Sequence, residues 1–504
     1  MLRNVLEYLE YDASFCADKT ALIDENKSYT YAQWLDLSRR IGTALAGRSG
    51  IRKPIAVLME KSADTLCAFM GIVYSGCFYV LLNPEFPESR LTQIRSVLQP
   101  EFVITDEEHL AQTEAVFAKD QILLLPDLMK KDEDPALLSR IREEVIDTDP
   151  LYANFTSGST GVPKGVVVGH KSVLDFIEIF VPMFGISQED IIANQAPFDF
   201  DVSVKDIYSS LKAAATLVIV PKRFFFRPAE LLDFICEHKI STMIWAVSAL
   251  CLITTFHGLD YRTPDTVKRV LFSGEVMPYK HLKTWMEKLP EAEFVNLYGP
   301  TEITCNCTYH RIDRNKDYSE KIPIGRAFPN EHVFLLDETD REVTEPGKTG
   351  EICVRGTALA LGYFRNPEQT ESAFCVNPLN TWYPERIYRT GDLGQYAEDG
   401  DLLFCGRKDF QIKYMGHRIE IEEIERAISD VTGVERCCVI FDEAKQRLYG
   451  FYVGSIEKKE LHTTLSEKLP IYMIPGTLKQ IESFPLTKNG KIDRKALMER
   501  KNRA

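Results

Sequence analysis

The sequence predicts an α/β protein: a large N-terminal domain of parallel or mixed sheets flanked by helices, followed by a small α+β C-terminal domain. Three observations lead to this prediction. The chain has 504 residues, which exceeds the length of one ordinary domain. Apolar runs alternate with helical patterns, and several runs are apolar on both faces, as buried parallel strands are. Short strands and turns appear from about Arg341, and a compact segment begins after Asp409.

The strands of the large domain are predicted from short apolar runs at residues 54–59, 102–105, 216–220, 242–246 and 270–272, followed by runs at 349–355 and 400–406. Residues 66–82 form seventeen positions without a charge, which is close to the lower limit for a membrane span. Gly71, Ser75 and Gly76 divide this stretch, so it predicts a buried helix followed by a strand.

The domain boundary is predicted at the charged stretch 406–409, with an N-terminal domain over residues 1–408 and a C-terminal domain over residues 409–504. The predicted elements of the C-terminal domain are an amphipathic helix at 421–430, a strand pair at 435–442 and 447–453, and a helix at 458–469. About a hundred residues suffice for such a small domain.

The composition argues against several classes of protein. Lys and Arg number 60 and Asp and Glu number 74, so the net charge is −14, and the pI is about 5.3. An acidic surface disfavours nucleic acids and anionic membranes as partners. The twelve cysteines match no zinc-binding spacing. Residues 1–11 contain no apolar signal segment, so we expect a cytoplasmic protein with reduced thiols.

A loop rich in glycine and hydroxyl side chains follows a strand-like stretch at residues 151–155. Glycines let the backbone N–H groups approach a phosphate, hydroxyls add donors, and a lysine adds positive charge. The loop lacks the Gly-Lys-Ser/Thr of a Walker loop, and the alternative is a flexible turn. Its predicted phosphate-binding residues are Thr156, Ser157, Gly158, Ser159, Thr160 and Lys164.

This loop resembles the phosphate loop of the adenylate-forming superfamily, which includes acyl-CoA synthetases, luciferases and the adenylation domains of nonribosomal peptide synthetases. Five further segments resemble that superfamily's motifs in the same order along nearly the whole chain. They are residues 84–87 with Arg90, 296–302, 388–392, 406–413 and 489–493. Six ordered matches make a chance resemblance untenable.

The resemblance implies ATP and Mg²⁺ as cofactors, with no prosthetic group on the chain. Tyr298 would stack on adenine, Thr301 would donate to the α-phosphate, and Asp392 would accept hydrogen bonds from the ribose. Glu302 would bind Mg²⁺, since a carboxylate is a hard oxygen ligand. The remaining implied ATP-binding residues are Asn296, Gly299 and Arg407.

The resemblance also assigns catalysis to Lys491, together with Thr301 and Glu302. A lysine between the attacking carboxylate and the α-phosphate offsets their repulsion in the transition state. In this superfamily the small C-terminal domain is mobile and rotates about a hinge, here Asp409, so Lys491 would serve adenylation only. A small β-barrel-like part of the N-terminal domain and a monomeric state are implied as well.

Residues 196–204 resemble the pocket motif of the amino-acid-activating members. Asp201 stands where those members hold the substrate's ammonium group, and a carboxylate withdrawn from water needs such a cation. The alternative is an aspartate that caps a helix. By family position the pocket would be lined by Asp201, Val202, Lys205, Ser248, Leu271, Ser273, Leu297, Cys305 and Asn306.

The region around the pocket motif looks most like the stand-alone D-alanine:carrier-protein ligases of teichoic-acid modification. Lys205 and Ser273 depart from it, because that family has Met and Cys there. Lys205 could pair with an acidic or hydrogen-bonding substrate side chain, or extend outward and leave a small pocket. A small or polar amino acid is therefore the leading hypothesis, and D-alanine is the alternative.

The acceptor is expected to be the phosphopantetheine thiol of a separate carrier protein, since no carrier attachment motif is found in the chain. An acyl- or aryl-CoA ligase is a further alternative, which Asp201 disfavours. A degenerate homologue that only binds nucleotide or carrier is another, which intact Glu302, Asp392 and Lys491 disfavour.

Overall fold

The computed structural model describes residues 2–48, 50–158, 162–409, 411–443, 445–486 and 492–500. The chain divides into two compact units. The first comprises residues 1–83, 99–154 and 165–408, and the second comprises residues 84–98, 155–164 and 409–504. In the part of the chain that the structure describes, no helix is long and apolar enough to cross a membrane.

The strands lie along the whole described chain. They are β1 (Thr20–Ile23), β2 (Ser28–Thr30), β3 (Pro54–Leu58), β4 (Phe78–Leu82), β5 (Phe102–Thr105), β6 (Ile122–Leu124), β7 (Pro150–Thr156), β8 (Lys164–Gly169), β9 (Ile191–Asn194), β10 (Thr216–Ile219), β11 (Thr242–Ala246), β12 (Arg269–Ser273), β13 (Glu293–Tyr298), β14 (Thr308–Arg311), β15 (Arg326–Ala327), β16 (Glu331–Leu336), β17 (Thr349–Gly356), β18 (Gly362–Tyr363), β19 (Tyr388–Tyr396), β20 (Leu402–Arg407), β21 (Gln411–Tyr414), β22 (His417–Glu420), β23 (Val434–Asp442), β24 (Arg447–Gly454) and β25 (Thr477–Gln480).

The α-helices alternate with these strands in the first 300 residues. They are α1 (Leu6–Phe15), α2 (Tyr31–Leu45), α3 (Ala63–Tyr74), α4 (Glu88–Leu98), α5 (Leu110–Val116), α6 (Leu125–Met129), α7 (Pro135–Glu144), α8 (His170–Met183), α9 (Val202–Ala213), α10 (Pro228–Glu237), α11 (Val247–Thr255), α12 (Gly258–Tyr261), α13 (Tyr279–Lys288), α14 (Pro367–Ala373), α15 (Ile421–Ser429), α16 (Lys458–Ser466) and α17 (Arg494–Arg500).

Three sheets build the first unit. A nine-stranded sheet has the order β15-β14-β13-β12-β11-β9-β10-β1-β2, and its strands from β13 to β1 pair in parallel. A seven-stranded sheet has the order β18-β8-β7-β4-β3-β5-β6. The α/β class predicted from the sequence is therefore confirmed, and the uncharged stretch 66–82 is the buried α3 followed by the buried β4.

The third sheet of the first unit differs from the expected barrel-like part. Its order is β16-β17-β19-β20, all neighbours are antiparallel, and among the described residues it ends at β16 and β20 without closing. Short antiparallel strands can pair into an open sheet as well as a barrel, so their alternating pattern alone does not decide closure.

The second unit contains the small α+β elements that the sequence predicts. β23 and β24 pair antiparallel, β25 adds in parallel, and β21 forms a hairpin with β22. Helix α15 buries Ile421, Ile424 and Ile428, whose spacing gives one apolar face. In the same unit Arg90 and Glu423 form a buried ion pair at 2.6 Å.

Candidate functional site

Three parallel strands of the first unit bring predicted pocket residues to one sheet edge. In the register of β11, β12 and β13, Ala246 pairs with Ser273 and Ser273 pairs with Leu297. Ser248 follows β11 by two residues and is half-buried. Because the carboxyl ends of parallel strands meet at one edge, this is where an open α/β sheet forms a ligand crevice. Leu271 lies further inside, fully buried on β12.

Lys205 lies on α9 and points inward among these residues. It is fully buried, and its Nζ donates to Ser273 Oγ at 3.1 Å and to Asn306 Oδ1 at 2.7 Å. The sequence left two directions open for this lysine, and the structure excludes the outward one. Lys205 therefore places N–H donors and a positive charge among the predicted pocket residues.

Asp201 and Val202 lie at the start of α9. Asp201 precedes the helix, is half-buried, and its side chain makes no capping hydrogen bond in the described structure. The helix-capping alternative for Asp201 therefore has no support from the geometry. Cys305 donates from Sγ to the Asp201 carbonyl at 3.1 Å, and burial raises the pKa of this thiol well above its usual value. Val202 opens α9 and is half-buried.

Asp206, the neighbour of Lys205, was not singled out from the sequence. It is fully buried, accepts from Asn194 Nδ2 at 2.8 Å, and its Oδ1 has no hydrogen-bond partner within the described residues. Burial raises the pKa of Asp206 to about 8, against the charges of Lys205 and Lys61. Burial also lowers the pKa of Lys61 to about 7. No local sequence pattern marks the group of Asp206, Asn194 and Lys61, because these residues lie on α9, on β9 and before α3.

Asp392 forms the centre of a second buried group in the first unit. Tyr298, at the end of β13, donates from its hydroxyl to Asp392 Oδ2 at 2.5 Å. Arg407 donates from Nη1 to Asp392 Oδ1 at 2.5 Å, and the two residues are paired in the register of β19 and β20. Burial raises the pKa of Tyr298 well above its usual value, so this phenol is a stable donor. A carboxylate fixed in this way is a preorganised acceptor for neutral hydroxyl groups.

Glu302 is fully buried on the short 3₁₀ turn that begins at Thr301. Tyr363 donates from its hydroxyl to Glu302 Oε1 at 2.8 Å. This tyrosine was missed from the sequence, since it lies 61 positions downstream and a lone tyrosine carries no local signal. Within the described residues, no cluster of three or more His, Cys, Asp or Glu side chains is arranged to hold a metal.

Two further predicted nucleotide residues have structural reasons for their identity. Asn296 donates from Nδ2 to the Pro323 carbonyl at 2.8 Å, which ties β13 to a neighbouring loop. A Cβ at Gly299 would lie 2.5 Å from the Asn306 Cα, so only glycine fits this close backbone approach.

The phosphate-loop residues belong to the second unit. Thr156 Oγ1 is buried without a hydrogen-bond partner among the described residues. Ser157 donates to the Arg418 carbonyl at 2.6 Å and accepts from the Glu420 N–H at 3.2 Å. Burial raises the pKa of Glu420, while Arg418 and Lys164 oppose this rise.

The other predicted residues of this unit are only partly described. Gly158 is buried, and the Asp409 carboxylate accepts from the Gln411 N–H at 3.2 Å. Ser159, Thr160 and Lys491 lie outside the described residues.

Comparison with known families decides the class of the protein. A family described as AMP-binding enzyme matches residues 9–364, and one described as AMP-binding enzyme C-terminal domain matches residues 423–491. The chain belongs to the AMP-binding enzyme family. By class, this AMP-binding enzyme is an ATP-dependent, AMP-forming ligase.

Individual relatives of this AMP-binding enzyme differ widely in length. D-alanine--D-alanyl carrier protein ligase of Lacticaseibacillus casei (strain BL23) is 31% identical, and the alignment covers 100% of both chains. Surfactin synthase subunit 1 of Bacillus subtilis (strain 168) is 31% identical over 98% of this chain, and tyrocidine synthase 1 of Brevibacillus parabrevis is 29% identical over 99%. This chain spans 14% and 45% of the lengths of those two synthases.

Solved structures resemble this AMP-binding enzyme over nearly its whole length. IdnL1 is 27% identical with a TM-score of 0.81, covering 96% of this chain and 99% of its own. AlmE of Vibrio cholerae, an adenylation domain in complex with glycyl-adenosine-5′-phosphate, is 22% identical with a TM-score of 0.87, covering 100% of this chain and 98% of its own. The second likeness shows the fold alone.

Proposed function

We propose that this AMP-binding enzyme joins an amino acid to AMP and then transfers it to the phosphopantetheine thiol of a separate carrier protein. In the first step the substrate carboxylate attacks the α-phosphorus of ATP and pyrophosphate leaves. In the second, the thiol attacks the acyl carbon and AMP leaves. No protein nucleophile is needed, since positioning and electrostatics carry such transfers.

The ATP half of the proposal is supported by the Asp392 group. The carboxylate, held by the Tyr298 hydroxyl and the Arg407 guanidinium, is buried and suits a ribose hydroxyl. The buried Thr156 hydroxyl, which has no partner within the described residues, suits a phosphate oxygen. Mg²⁺ at Glu302 would neutralise phosphate charge, and Tyr363 would orient the carboxylate.

The observation that carries the amino-acid half is the position of Asp201. Its carboxylate is half-buried at the start of the helix that bears Lys205, and its carbonyl is fixed by Cys305. A substrate ammonium would be attracted to this carboxylate, and a charge pair formed away from bulk water is strengthened by the lower local dielectric.

A small or polar amino acid is the proposed substrate. Lys205, Ser273 and Asn306 form one hydrogen-bonded group, which makes the pocket more polar than a methyl side chain requires. A substrate side chain with an oxygen acceptor would bond to the lysine and gain a charge-assisted hydrogen bond.

D-alanine is the second candidate. It is favoured by the alignment to a D-alanine--D-alanyl carrier protein ligase, which covers 100% of both chains. If D-alanine is the substrate, the hydrogen-bonded side chains of Lys205, Ser273 and Asn306 would fill part of the pocket and leave space for a methyl group only.

The two-domain action of the chain is also part of the proposal. We place an N-terminal domain at residues 1–408 and a C-terminal domain at 409–504, with Asp409 as hinge and Lys491 serving adenylation only. Lys491→Ala should nearly abolish adenylation and leave thioester formation from pre-made adenylate intact. Equal loss of both steps would contradict the assignment.

The deciding experiment is a pyrophosphate-release assay with ATP, Mg²⁺ and each common L- and D-amino acid, with simple organic acids as the comparison set. One clear winner among amino acids, followed by loading of a phosphopantetheinylated carrier, is the expected result. D-alanine as winner would establish the second candidate. Activity only with an acid that lacks an ammonium group would overturn the role of Asp201.

A further inference from the structure

Glu351 is a buried carboxylate that the predicted site residues do not include. It lies on β17, in the middle of the open four-stranded sheet, and is 6% exposed. Its neighbour in the sheet register is Leu393 on β19, the residue that follows Asp392. A carboxylate at such a position is costly to bury unless several donors compensate it.

The donors to Glu351 come from both sides of the Asp392 group. Gly391 donates its backbone N–H to Oε1 at 3.2 Å. Arg389 donates from Nη1 to Oε2 at 3.1 Å, and Lys408 donates from Nζ to the same oxygen at 3.2 Å. One carboxylate therefore holds the bulged part of β19 that precedes Asp392 and the residue that follows Arg407.

Gly391 lies in a bulge of β19, where the pairing with β17 shifts between Glu351 and Cys353. Gly391 has a φ of 73°, in the left-handed region, and the Lys408 N–H donates to its carbonyl at 2.9 Å. Thr390 donates to the Ile352 carbonyl at 2.8 Å, beside Glu351 on β17. The orientation of the Asp392 carboxylate depends on this bulge, because Gly391 and Asp392 are adjacent in the chain.

We propose that Glu351 is a positioning residue for the nucleotide: it holds the β19 bulge at residues 389–392 and Lys408 so that Asp392 and Arg407 face the ribose hydroxyls. The proposal rests on the ribose role of Asp392 in the proposed function. Glu351 itself does not contact the nucleotide. Its removal leaves Lys408 and the Gly391 N–H without this acceptor and leaves Arg389 bonded to Asp340 alone of the two carboxylates, so the bulge loses its fixed geometry.

The test compares the affinities of ATP and 2′,3′-dideoxy-ATP, measured by titration calorimetry on the full chain. The wild type should prefer ATP, since the dideoxy analogue lacks the hydroxyls that Asp392 accepts. In Glu351→Ala that preference should fall about tenfold or more, as expected for the loss of a hydrogen bond to a charged group. Glu351→Gln keeps the shape and one acceptor but loses the charge, so its preference for ATP should lie between those of the wild type and Glu351→Ala. This variant replaces Glu351→Ala in the test if the alanine variant does not fold.

Glu385→Gln is the matched control. Glu385 also pairs with an arginine of β17, Arg355, at 2.9 Å, and accepts from Asn377 at 2.6 Å. The preference of Glu385→Gln for ATP over the dideoxy analogue should equal that of the wild type. A general loss of structure would weaken both nucleotides equally and leave their ratio unchanged, which would overturn the positioning role.

The two proposals fail in different ways. A wild type that binds ATP and the dideoxy analogue equally would overturn the ribose role of Asp392, and the Glu351 proposal with it. A wild type that prefers ATP, with the preference kept in both Glu351 variants, would overturn the Glu351 proposal alone.

Discussion

Two buried groups of the first unit, one around Asp392 and one around Lys205, differ in the hydrogen bonds that hold them. Asp392 faces the guanidinium of Arg407 and a tyrosine hydroxyl. Lys205 donates to two neutral oxygens, those of Ser273 and Asn306. A carboxylate already balanced by a cation can accept from neutral groups such as hydroxyls without further charge compensation. A buried lysine that donates to uncharged oxygens is also a donor to an electron-rich group of a ligand.

The difference predicts how each group acts. The Asp392 group should be needed for any substrate, since it would bind the nucleotide that all reactions share. The Lys205 group should decide between amino acids and leave the nucleotide unaffected. Variants of each group therefore test whether nucleotide binding and amino-acid selectivity are separate.

The largest effect is expected for Asp392→Asn. The variant loses the charge that binds Arg407 and one acceptor for the ribose, so the KM for ATP should rise about 100-fold, because each hydrogen bond to a charged group contributes roughly 1.5–3 kcal/mol. Steady-state pyrophosphate release at varied ATP measures this. Asp401→Asn is the control, since Asp401 is also buried and pairs with Arg326 at 2.8 Å. An unchanged KM for ATP would refute the nucleotide role of Asp392.

Lys205→Met should act on selectivity. Removing the ammonium favours apolar over polar side chains, so the ratio of kcat/KM for alanine to that for the preferred polar amino acid should rise about tenfold, the value of one lost charge-assisted hydrogen bond. The KM for ATP should stay constant. Lys212→Met is the matched control, because Lys212 is on the same helix but pairs with Glu178 at 2.7 Å near the surface. The same substrate profile in both variants would show that Lys205 has only a structural role.

The contrast between these two groups also shows what the sequence could predict. The α/β class and the positions of β3, β5, β10, β11 and β12 followed from apolar runs, since burial on both faces of a parallel sheet demands them. The direction of Lys205 did not, because its hydrogen-bond partners lie 68 and 101 positions away. Hydrophobic periodicity describes neighbours along the chain, whereas a buried polar contact depends on where distant strands end.

The same limit explains Tyr363 and the open sheet. The donation from Tyr363 to Glu302 joins residues 61 positions apart, and no local motif marks it. The strands of the open sheet alternate as barrel strands do, and only the pairing of the edge strands β16 and β20 distinguishes the two. Motifs in the sequence could indicate candidate site residues such as Glu302, but they could not indicate distant hydrogen-bond partners such as Tyr363.

Asp206 offers a test of charge beside Lys205. Its pKa of about 8 exceeds the usual 3.8, so the folded state holds the proton more tightly than the unfolded state between those pH values. The resulting stabilisation is present at low pH and is lost as the pH rises towards 8. In Asp206→Asn this decline is absent, so the difference in free energy of unfolding between the two proteins should change by about 1.4 kcal/mol per pH unit. Urea unfolding of both proteins at a series of pH values between 3.8 and about 8 measures this difference. If the free energies of unfolding of the two proteins change in parallel with pH, Asp206 stays ionised in the folded state.

The smallest effect is expected for Ser273→Ala. Ser273 accepts from Lys205 at 3.1 Å and Asn306 accepts at 2.7 Å, so the amide makes the shorter bond and the serine the longer one. Loss of the serine should lower kcat/KM for the preferred amino acid about threefold, as for one net neutral hydrogen bond, and Asn306→Ala should cost more. The same pyrophosphate assay at varied amino acid measures both. A larger loss for Ser273→Ala than for Lys205→Met would mean that the serine contacts the substrate itself, and selectivity would then lie at the sheet edge rather than on α9.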